Sequence, residues 1–319
     1  MKEILKKLRA IGIIPVVTIN DIEKAIPLAK ALVDSGIHCV EITFRTEQAE
    51  EAIRRITAQV PKMLVGAGTV LNTKQADNAI NAGAKFLISP GLNPIVVEHC
   101  IEKNYFIIPG IATPSDIERA INLGVNIVKF FPAEAAGGIN MIKSMSLPYS
   151  EMRFIPTGGI NNKNLNEYLA FDKVICCGGS FIINDDYIKE NKFDKITKLC
   201  KYAIFNMLGF EIDHVGINAK DDIQANIFAK EFSKLFNFSI YENDFSIFLD
   251  NSIEVMKSTY LGNYGHIAIK TNYIERAINY IEAMGGEFDI STIKEENGKI
   301  KSIFLKDEIG GYAIQIVQK

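Results

Sequence analysis

The stretch NIVKFFPAE, residues 126–134, places Lys129 inside a run of β-branched and aromatic residues. Such a run is typical of a strand that is buried on both faces, as in a parallel sheet. Lysine is almost never fully buried without a specific role. Burial disfavours the charged form of an amine, and a neutral amine can form a Schiff base with a carbonyl compound. The alternative is a lysine on an edge strand whose ammonium group reaches water.

Strand-like runs alternate with amphipathic stretches on both sides of this segment. The candidate strands are 13–18, 39–44, 63–70, 86–90, 106–111, 127–131, 153–157 and 174–177. The helical stretches between them include 21–34, 47–57, 73–81, 114–122 and 164–169, and Asn or Thr at several of their starts can cap a helix. Eight parallel βα repeats predict an α/β fold of the (β/α)8 TIM-barrel type. An open doubly wound sheet is the alternative, but no G-x-G-x-x-G motif follows the first strand.

Polar residues and glycines cluster at the carboxyl ends of these predicted strands. They are Glu41 and Arg45 on the second strand, Thr69 on the third, Ser89 and Pro90 on the fourth, Lys129 on the sixth, Thr157-Gly158-Gly159 after the seventh and Gly178-Gly179-Ser180 after the eighth. Side chains two residues apart share a face of a strand, so Glu41, Thr43 and Arg45 are expected on one side. The carboxyl ends of barrel strands meet at one mouth, where such enzymes carry out their chemistry. The pattern therefore predicts an acid, a lysine and an arginine converging at one site.

Two glycine pairs suggest an anion site at the same mouth. Gly158-Gly159 and Gly178-Gly179 are expected to form turns after the seventh and eighth strands. Glycine lets a ligand approach the backbone and leaves N–H groups free to bind it. Loops at these two positions commonly bind phosphate in this fold, although either pair alone would suit an ordinary turn.

The composition excludes several classes of function. The chain has 319 residues, of which 48% are hydrophobic and 23% charged, and its net charge of −3 gives no basic excess for binding nucleic acid. Five cysteines without a C-x-x-C pair indicate reduced thiols in a cytoplasmic protein. The N-terminus MKEILKKLRA lacks the apolar core of a signal peptide, and no apolar stretch reaches the length of a membrane span.

Residues 1–205 resemble the 2-keto-3-deoxy-6-phosphogluconate (KDPG) and 4-hydroxy-2-oxoglutarate (KHG) aldolases, which are class I aldolases on a (β/α)8 barrel. The motifs that carry the resemblance, in the family's order, are VEITFRT (40–46), VGAGTV (65–70), ISPG (88–91), IPGI (108–111), VKFFPAE (128–134), PTGGI (156–160) and GGS (178–180). The resemblance implies an enzyme that cleaves KDPG to pyruvate and glyceraldehyde 3-phosphate, KHG to pyruvate and glyoxylate, or both. It also implies a homotrimer that needs no cofactor.

The resemblance also implies a role for each residue of the predicted mouth. Lys129 would form the Schiff base, and Glu41 would act as general acid and base through a water molecule. The remaining roles are carboxylate binding by Arg45 and Thr69, a pocket wall of Pro90 and Phe131, orientation of the aldehyde end by Thr157, and phosphate binding by Gly158, Gly159 and Ser180. The alternatives are a phosphosugar epimerase or isomerase, which would need no imine, and a barrel that binds sugar phosphates without catalysis.

The chain continues beyond the family's barrel, so domains are expected at 1–206 and 207–319. The second segment contains a weak repeat, in which IDHVGI (212–217) and YGHIAI (264–269) are each followed by an amphipathic stretch and further strands. Two βαβββ units in tandem resemble the glyoxalase, or vicinal-oxygen-chelate, fold. The resemblance implies a possible divalent metal held by His214, Glu254, His266 and Gln315, whose donors suit a first-row ion. The alternatives are an inactive structural copy, a second enzyme, and a module for regulation or oligomerisation.

Overall fold

The computed structural model describes every residue from Met1 to Lys319, and the chain divides into two compact units, Met1–Asn206 and Met207–Lys319. We call them the N-terminal and the C-terminal unit and describe each separately. None of the helices has the length and apolar character that would let it span a lipid bilayer.

The N-terminal unit alternates strands with helices. Its strands are β1 (Ile13–Val17), β2 (Cys39–Thr43), β3 (Leu64–Gly68), β4 (Phe86–Ile88), β5 (Ile107–Ile108), β6 (Gly110–Ile111), β7 (Ile127–Phe130), β8 (Arg153–Pro156) and β9 (Cys177–Gly179). Its helices are α1 (Lys2–Ile11), α2 (Ala25–Ser35), α3 (Ala49–Gln59), α4 (Thr73–Asn81), α5 (Pro94–Glu102), α6 (Pro114–Asn122), α7 (Gly138–Ser146), α8 (Leu165–Leu169) and α9 (Asp185–Lys189), and α10 (Phe193–Leu208) begins in this unit. A short 3-10 turn, Ile22–Lys24, precedes α2.

All the strand pairs of this unit are parallel. One sheet has the order β5-β4-β3-β2-β1-β9, and a second has the order β6-β7-β8. Pro109 separates β5, which pairs with β4, from β6, which pairs with β7. Parallel bridges join Phe154 to Val174 and Thr157 to Gly178 at the other end of the second sheet. The predicted parallel α/β class is therefore confirmed.

Local capping chemistry begins several of the helices. The side chain of Asn72 accepts a hydrogen bond from the Gln75 N–H at the start of α4. Thr113 and Asp116 form a reciprocal capping box at the start of α6. Such bonds satisfy backbone donors that have no partner within the helix. The predicted helices 73–81 and 114–122 are confirmed at both ends.

The core of this unit fills the space between the strands with apolar side chains. A cluster of Leu8, Ile14, Phe86, Ile108 and Ile155, among others, is nearly or wholly inaccessible to water. All five cysteines are buried and free of disulfides.

The C-terminal unit consists of two similar halves, each a strand, a helix and three strands. The first half contains β10 (Glu211–Asn218), α11 (Asp222–Phe236), β11 (Ile240–Glu242), β12 (Ser246–Leu249) and β13 (Ile253–Met256). The second contains β14 (Gly265–Thr271), α12 (Ile274–Ala283), β15 (Phe288–Glu296), β16 (Lys299–Leu305) and β17 (Tyr312–Gln318). The amphipathic stretch expected after the first strand of each half is a helix, α11 in the first half and α12 in the second.

The two halves share one mixed sheet of eight strands with the order β11-β12-β13-β10-β14-β17-β16-β15. The first strand of each half is parallel to its last strand, so β10 pairs with β13 and β14 with β17. The antiparallel pair β10–β14 joins the halves at the centre. The order is therefore the same in both halves when each is read outward from the centre.

Two expectations at strand ends need correction. Gly178 and Gly179 lie within β9 and have no left-handed backbone, so they form no turn. Gly178 is required by packing, since a Cβ there would lie 2.5 Å from Oγ1 of Thr157. Strand β2 ends at Thr43, and Arg45 follows it as an exposed residue, so alternation along the strand does not reach Arg45.

Candidate functional site

A buried ion pair joins strands β2 and β7. The Nζ atom of Lys129 lies 3.4 Å from Oε1 of Glu41, and their exposed fractions are 6% and 1%. Each charge is costly to bury alone, so each supplies the partner that the other needs. The second oxygen of Glu41, Oε2, is buried and has no hydrogen-bond partner within the protein. It is therefore free to accept a proton or a hydrogen bond from a bound molecule.

The space around this pair depends on two neighbours. A Cβ on Gly68 would lie 2.0 Å from Oε1 of Glu41, so only glycine fits below the carboxylate. The ammonium group of Lys129 lies 5.3 Å from the centre of the Phe131 ring, within the range of a cation–π contact. Phe131 thus covers one side of the amine, while the opposing carboxylate covers another.

The segment after β8 contributes backbone that is open to a ligand. Thr157 is buried, and Gly158 and Gly159 have φ angles of +97° and +82°, which non-glycine residues seldom adopt. Glu134 packs below this turn, because a Cβ on Gly159 would lie 2.4 Å from its Cγ. The hydroxyl of the buried Tyr168 donates a short hydrogen bond to the Glu134 carboxylate. Burial, together with this carboxylate, raises the pKa of Tyr168, so the phenol stays protonated.

The other predicted residues lie at the ends of neighbouring strands. Thr69 follows β3 with a φ of +57°, an unusual value for a β-branched residue. Pro90 follows β4, and its carbonyl lies so close to Gly110 that a Cβ there would be 2.1 Å away. Arg45 and Ser180 are both exposed after their strands. No contact joins either of them to the Lys129–Glu41 pair, so a site shared with that pair stays a prediction that rests on their positions after the strands.

A second cluster of ionisable side chains lies in the C-terminal unit. Nε2 of His214 is 3.0 Å from Nε2 of His266 and 3.3 Å from Oε2 of Glu254. Nε2 of His266 is 3.1 Å from the same carboxylate oxygen. Two donors at right angles, each about 2.1 Å from a metal ion, stand roughly 3.0 Å apart. The three donor atoms therefore lie close enough together to contact a single divalent ion, at distances that also allow hydrogen bonds between them.

The register of the central strands brings these three residues together. Gly216 on β10 is paired on one side with Glu254 and on the other with His266. A Cβ on Gly216 would lie 2.0 Å from the His266 ring, so glycine makes room for that imidazole. In the second half, Ala268 is paired in the same way with His214 and Gln315. The two halves thus place a histidine and an oxygen-bearing side chain at equivalent positions.

Surrounding groups hold the cluster in a defined orientation. Nδ1 of His214 is 2.9 Å from Oδ2 of Asp213, which lies at an irregularity in the pairing of β10. The hydroxyl of Ser246 donates to Oε1 of Glu254 at 2.7 Å. Outer partners of this kind fix the tautomer of a metal-binding histidine and the rotamer of a carboxylate.

The protonation of this cluster reflects its neighbours. Burial raises the pKa of the Glu254 carboxyl, but this effect is outweighed by hydrogen bonds from His214, His266 and Ser246. These bonds hold the pKa of Glu254 well below its usual range. Burial likewise opposes charging of His214, yet Glu254 and Asp213 raise its pKa above the ordinary value. The cluster is therefore arranged to stabilise positive charge, whether from a proton or from a metal ion.

A cavity of about 530 Å³ opens beside this cluster within the C-terminal unit. Glu254, His266 and Gln315 contribute to its lining, together with Tyr260 and Phe304. No pattern in the sequence indicates Ser246 or this cavity, because the strands that form the cavity are brought together only by the sheet. Asp213 could have been noticed as the acidic neighbour of a candidate ligand.

The parallel α/β fold and the buried lysine–carboxylate pair of the N-terminal unit are those of a carbon–carbon lyase of the class I aldolase type. The family model described as KDPG and KHG aldolase matches residues 4–199, and the chain belongs to this family. That match ends before the C-terminal unit begins.

Similar proteins agree with this assignment. The chain is 47% identical over 204 residues to 2-dehydro-3-deoxy-phosphogluconate aldolase of Treponema pallidum, covering 64% of this chain and 97% of that protein. It is 43% identical over 192 residues to the KHG/KDPG aldolase of Escherichia coli K12, covering 60% of this chain and 90% of that protein. The structure of KDPG aldolase from Legionella pneumophila, with pyruvate captured as a covalent carbinolamine, aligns with a TM-score of 0.60 and 40% identity, covering 62% of this chain and 97% of that one.

Proposed function

We propose that the N-terminal unit cleaves KDPG, KHG or both through an imine on Lys129. The observation that carries the proposal is the buried contact between Lys129 and Glu41, at 3.4 Å. We also infer that the two parallel sheets form one closed (β/α)8 barrel, since the bridges at Phe154 and Thr157 link the free end of the second sheet toward β9. In such a barrel, both residues of the pair face the mouth at the strand ends.

The proposed reaction begins when the nitrogen of Lys129 attacks the keto carbon C2, and the carbinolamine loses water to give an iminium ion. Glu41 takes the proton of the C4 hydroxyl through a water molecule. The C3–C4 bond breaks, and its electrons move toward the iminium nitrogen. The aldehyde departs, and the three-carbon unit stays on Lys129 as an enamine. Glu41 then supplies the proton to C3, and water hydrolyses the resulting iminium to pyruvate and the free lysine.

The remaining residues divide the substrate between them in this proposal. Arg45 and Thr69 bind the carboxylate, for which a guanidinium offers two parallel hydrogen bonds. Pro90 and Phe131 form the wall, and Thr157 orients the aldehyde end. Gly158, Gly159 and Ser180 bind the distal phosphate, which the open backbone of the two glycines supports.

Borohydride trapping tests the imine directly. Pyruvate plus borohydride should add a reduced three-carbon unit to the peptide that contains Lys129 and should abolish activity. Lys129→Met should be inactive and unlabelled, whereas the exposed Lys143, on α7, offers a matched control in Lys143→Met. A fully active Lys129→Met variant would refute the assignment. A wild-type protein that isomerises sugar phosphates but cannot be trapped with borohydride would instead favour an epimerase or isomerase.

We propose that the C-terminal unit is a glyoxalase-like domain that holds one divalent metal ion. Its two halves of a strand, a helix and three strands, joined through β10 and β14, support the fold. His214, Glu254 and His266 would hold the ion, with Gln315 as a fourth ligand from the equivalent position of the second half. Such an ion would supply Lewis-acid chemistry at the cavity. Metal analysis of the purified chain tests this proposal, and the variants His214→Ala and His266→Ala, which each lack one proposed ligand, should lose the ion.

We also propose a homotrimer in the cytoplasm. The five buried, unpaired cysteines suit a reducing compartment. Light scattering should give a mass near three times the 35.5 kDa of one chain.

A further inference from the structure

The cavity of the C-terminal unit carries charged side chains besides the proposed metal ligand Glu254. The charged residues in its lining are Asp244, Glu254, Lys257 and Lys294. Lys257 is paired outside the lining with Glu242 and Asp222, so Asp244, Glu254 and Lys294 together carry a net charge of −1. A bound divalent cation would change this net charge to +1, which favours an anionic occupant.

Lysine 294 differs from Lys257 in having no partner. Nζ of Lys257 lies 2.6 Å from Oε1 of Glu242 and 3.4 Å from Oδ1 of Asp222, so its charge is already compensated. The ammonium group of Lys294 makes no ion pair or hydrogen bond, and its side chain is exposed at the edge of the cavity. An uncompensated cation beside a cavity is a ready partner for a negatively charged group.

The backbone of β15 directs Lys294 toward the cavity. The pairing of β15 with β16 is irregular on both sides of Lys294, which is opposite Ser302. Such irregularities re-aim side chains and are common next to binding sites. Ser302 is two residues before Phe304 and therefore shares its face of β16. Phe304 is paired in turn with Gln315, the proposed fourth metal ligand. Lys294 and Gln315 therefore lie on the same face of the sheet.

The shape of the cavity fits a small ligand with an apolar part. Its volume of about 530 Å³ lies in the range of small-molecule sites. The ring centres of Tyr260 and Phe304 are 6.0 Å apart, and that of Tyr260 is 6.4 Å from His266. The amide nitrogen of Asn218 holds the segment that carries Tyr260, through the carbonyls of Tyr260 and Gly262. The wall next to the cluster is therefore aromatic and anchored.

We infer that this cavity binds a small organic anion, a carboxylate or a phosphate ester, with Lys294 as its charge partner. The inference rests on the proposed metal site for the excess of positive charge, but the partner-free ammonium group of Lys294 is independent of it. Carboxylate and phosphate share the anionic oxygens that a lysine recognises, and different probes separate them.

The test combines two readouts on the full-length chain. Calorimetric titration with Co²⁺ measures metal binding, and the absorption of the bound Co²⁺ reports ligands that reach it. Trace acetylation, read by mass spectrometry, measures the accessibility of Lys294 against that of the exposed Lys299 on β16. The probes are inorganic phosphate, pyruvate and the neutral methyl pyruvate.

We expect phosphate or pyruvate to protect Lys294 but not Lys299, and to change the Co²⁺ spectrum saturably. Methyl pyruvate should do neither. Lys294→Gln should weaken binding of the anion about tenfold, the loss of roughly one charge-assisted contact, while Lys299→Gln leaves it unchanged. Stronger protection by phosphate than by pyruvate identifies a phosphate ester as the class, and the reverse identifies a carboxylate.

The failures of the two proposals are distinguishable. If Co²⁺ binds but anions leave the acetylation of Lys294 unchanged, the anion site is wrong and the metal site stands. If Co²⁺ does not bind but anions protect Lys294, the metal site is wrong and the anion site stands. If neither occurs, both are wrong.

Discussion

A Cβ on Gly68 would lie 2.0 Å from Oε1 of Glu41, so the carboxylate of Glu41 occupies the volume that a side chain at position 68 would need. The glycine of one strand therefore sets the position of the acid on its neighbour. Because Glu41 is only 1% exposed, its side chain has little room to move aside.

Gly68→Ala should displace this carboxylate and lower kcat at least about 100-fold, the range expected for loss of a general acid and base. Gly66→Ala is the matched control two residues earlier, where a Cβ would lie 2.2 Å from the Phe86 ring in the core. Gly66→Ala should lower the melting temperature and leave kcat of the folded enzyme nearly unchanged. Steady-state kinetics and calorimetry on both variants check the prediction, and a Gly68→Ala enzyme with wild-type kcat would contradict it.

Thr69→Gly should stabilise the protein while weakening substrate binding. A left-handed backbone costs a non-glycine residue roughly 1–2 kcal/mol, and glycine loses about 0.5–1 kcal/mol through its greater freedom when unfolded. We therefore expect a gain of up to about 1 kcal/mol by denaturation, and a higher KM because the hydroxyl is lost. Thr69→Val keeps the strained backbone and should raise KM without any gain. A less stable Thr69→Gly would show that the threonine is not strained.

Ser180→Ala should lower kcat/KM for KDPG about tenfold, since one charge-assisted hydrogen bond is worth about 1.5 kcal/mol at the lower end. The same change should affect KHG, which has no phosphate, much less. The exposed Ser144 on α7 provides a control in Ser144→Ala. Equal losses on both substrates would mean that Ser180 supports the fold rather than the phosphate.

Gly216→Ala should abolish tight metal binding, because its Cβ would lie 2.0 Å from the His266 ring. Ala268→Gly, at the equivalent position of the second half, removes a methyl group and should leave metal affinity within a few-fold of wild type. Titration with Co²⁺ measures both. Unchanged affinity in Gly216→Ala would exclude His266 as a ligand.

A chain that ends at Leu208, the last residue of α10, should keep full aldolase activity, and chelators should not inhibit the complete chain. An earlier end at Tyr202 should be less stable, because Asn206 donates to the carbonyl of Asn162 and accepts from the Asn166 amide. Activity assays and melting temperatures of both truncations test this. A well-folded but inactive 1–208 chain would mean that an essential group lies beyond Leu208.

Local chemistry made some of these elements predictable from the sequence. The caps of α4 and α6 involve residues only three apart, so the sequence predicts both starts correctly. The sequence wrongly predicts a turn at Gly178, because the role of this glycine is set by Thr157, which is distant in the chain. A glycine required for packing looks the same in sequence as one required for a turn.

The C-terminal cluster shows the same limit. A repeat in the sequence indicated His214 and His266 as equivalent residues, and the register of β10 and β14 brings them to within 3.0 Å. Ser246 and Lys294 could not be assigned, because their places depend on a strand order and on an irregular pairing that no local pattern predicts.

The burial of all five cysteines makes this chain convenient for spectroscopic labelling. Burial raises the pKa of Cys100 to about 11 and that of Cys200 to about 12, so neither offers a thiolate to maleimide reagents at neutral pH. A cysteine introduced at the exposed Ser258 would then be the one reactive thiol, and the chain has no tryptophan to interfere with a fluorophore. Ser258 lines the cavity of the C-terminal unit, so a dye attached there would report directly on what enters it.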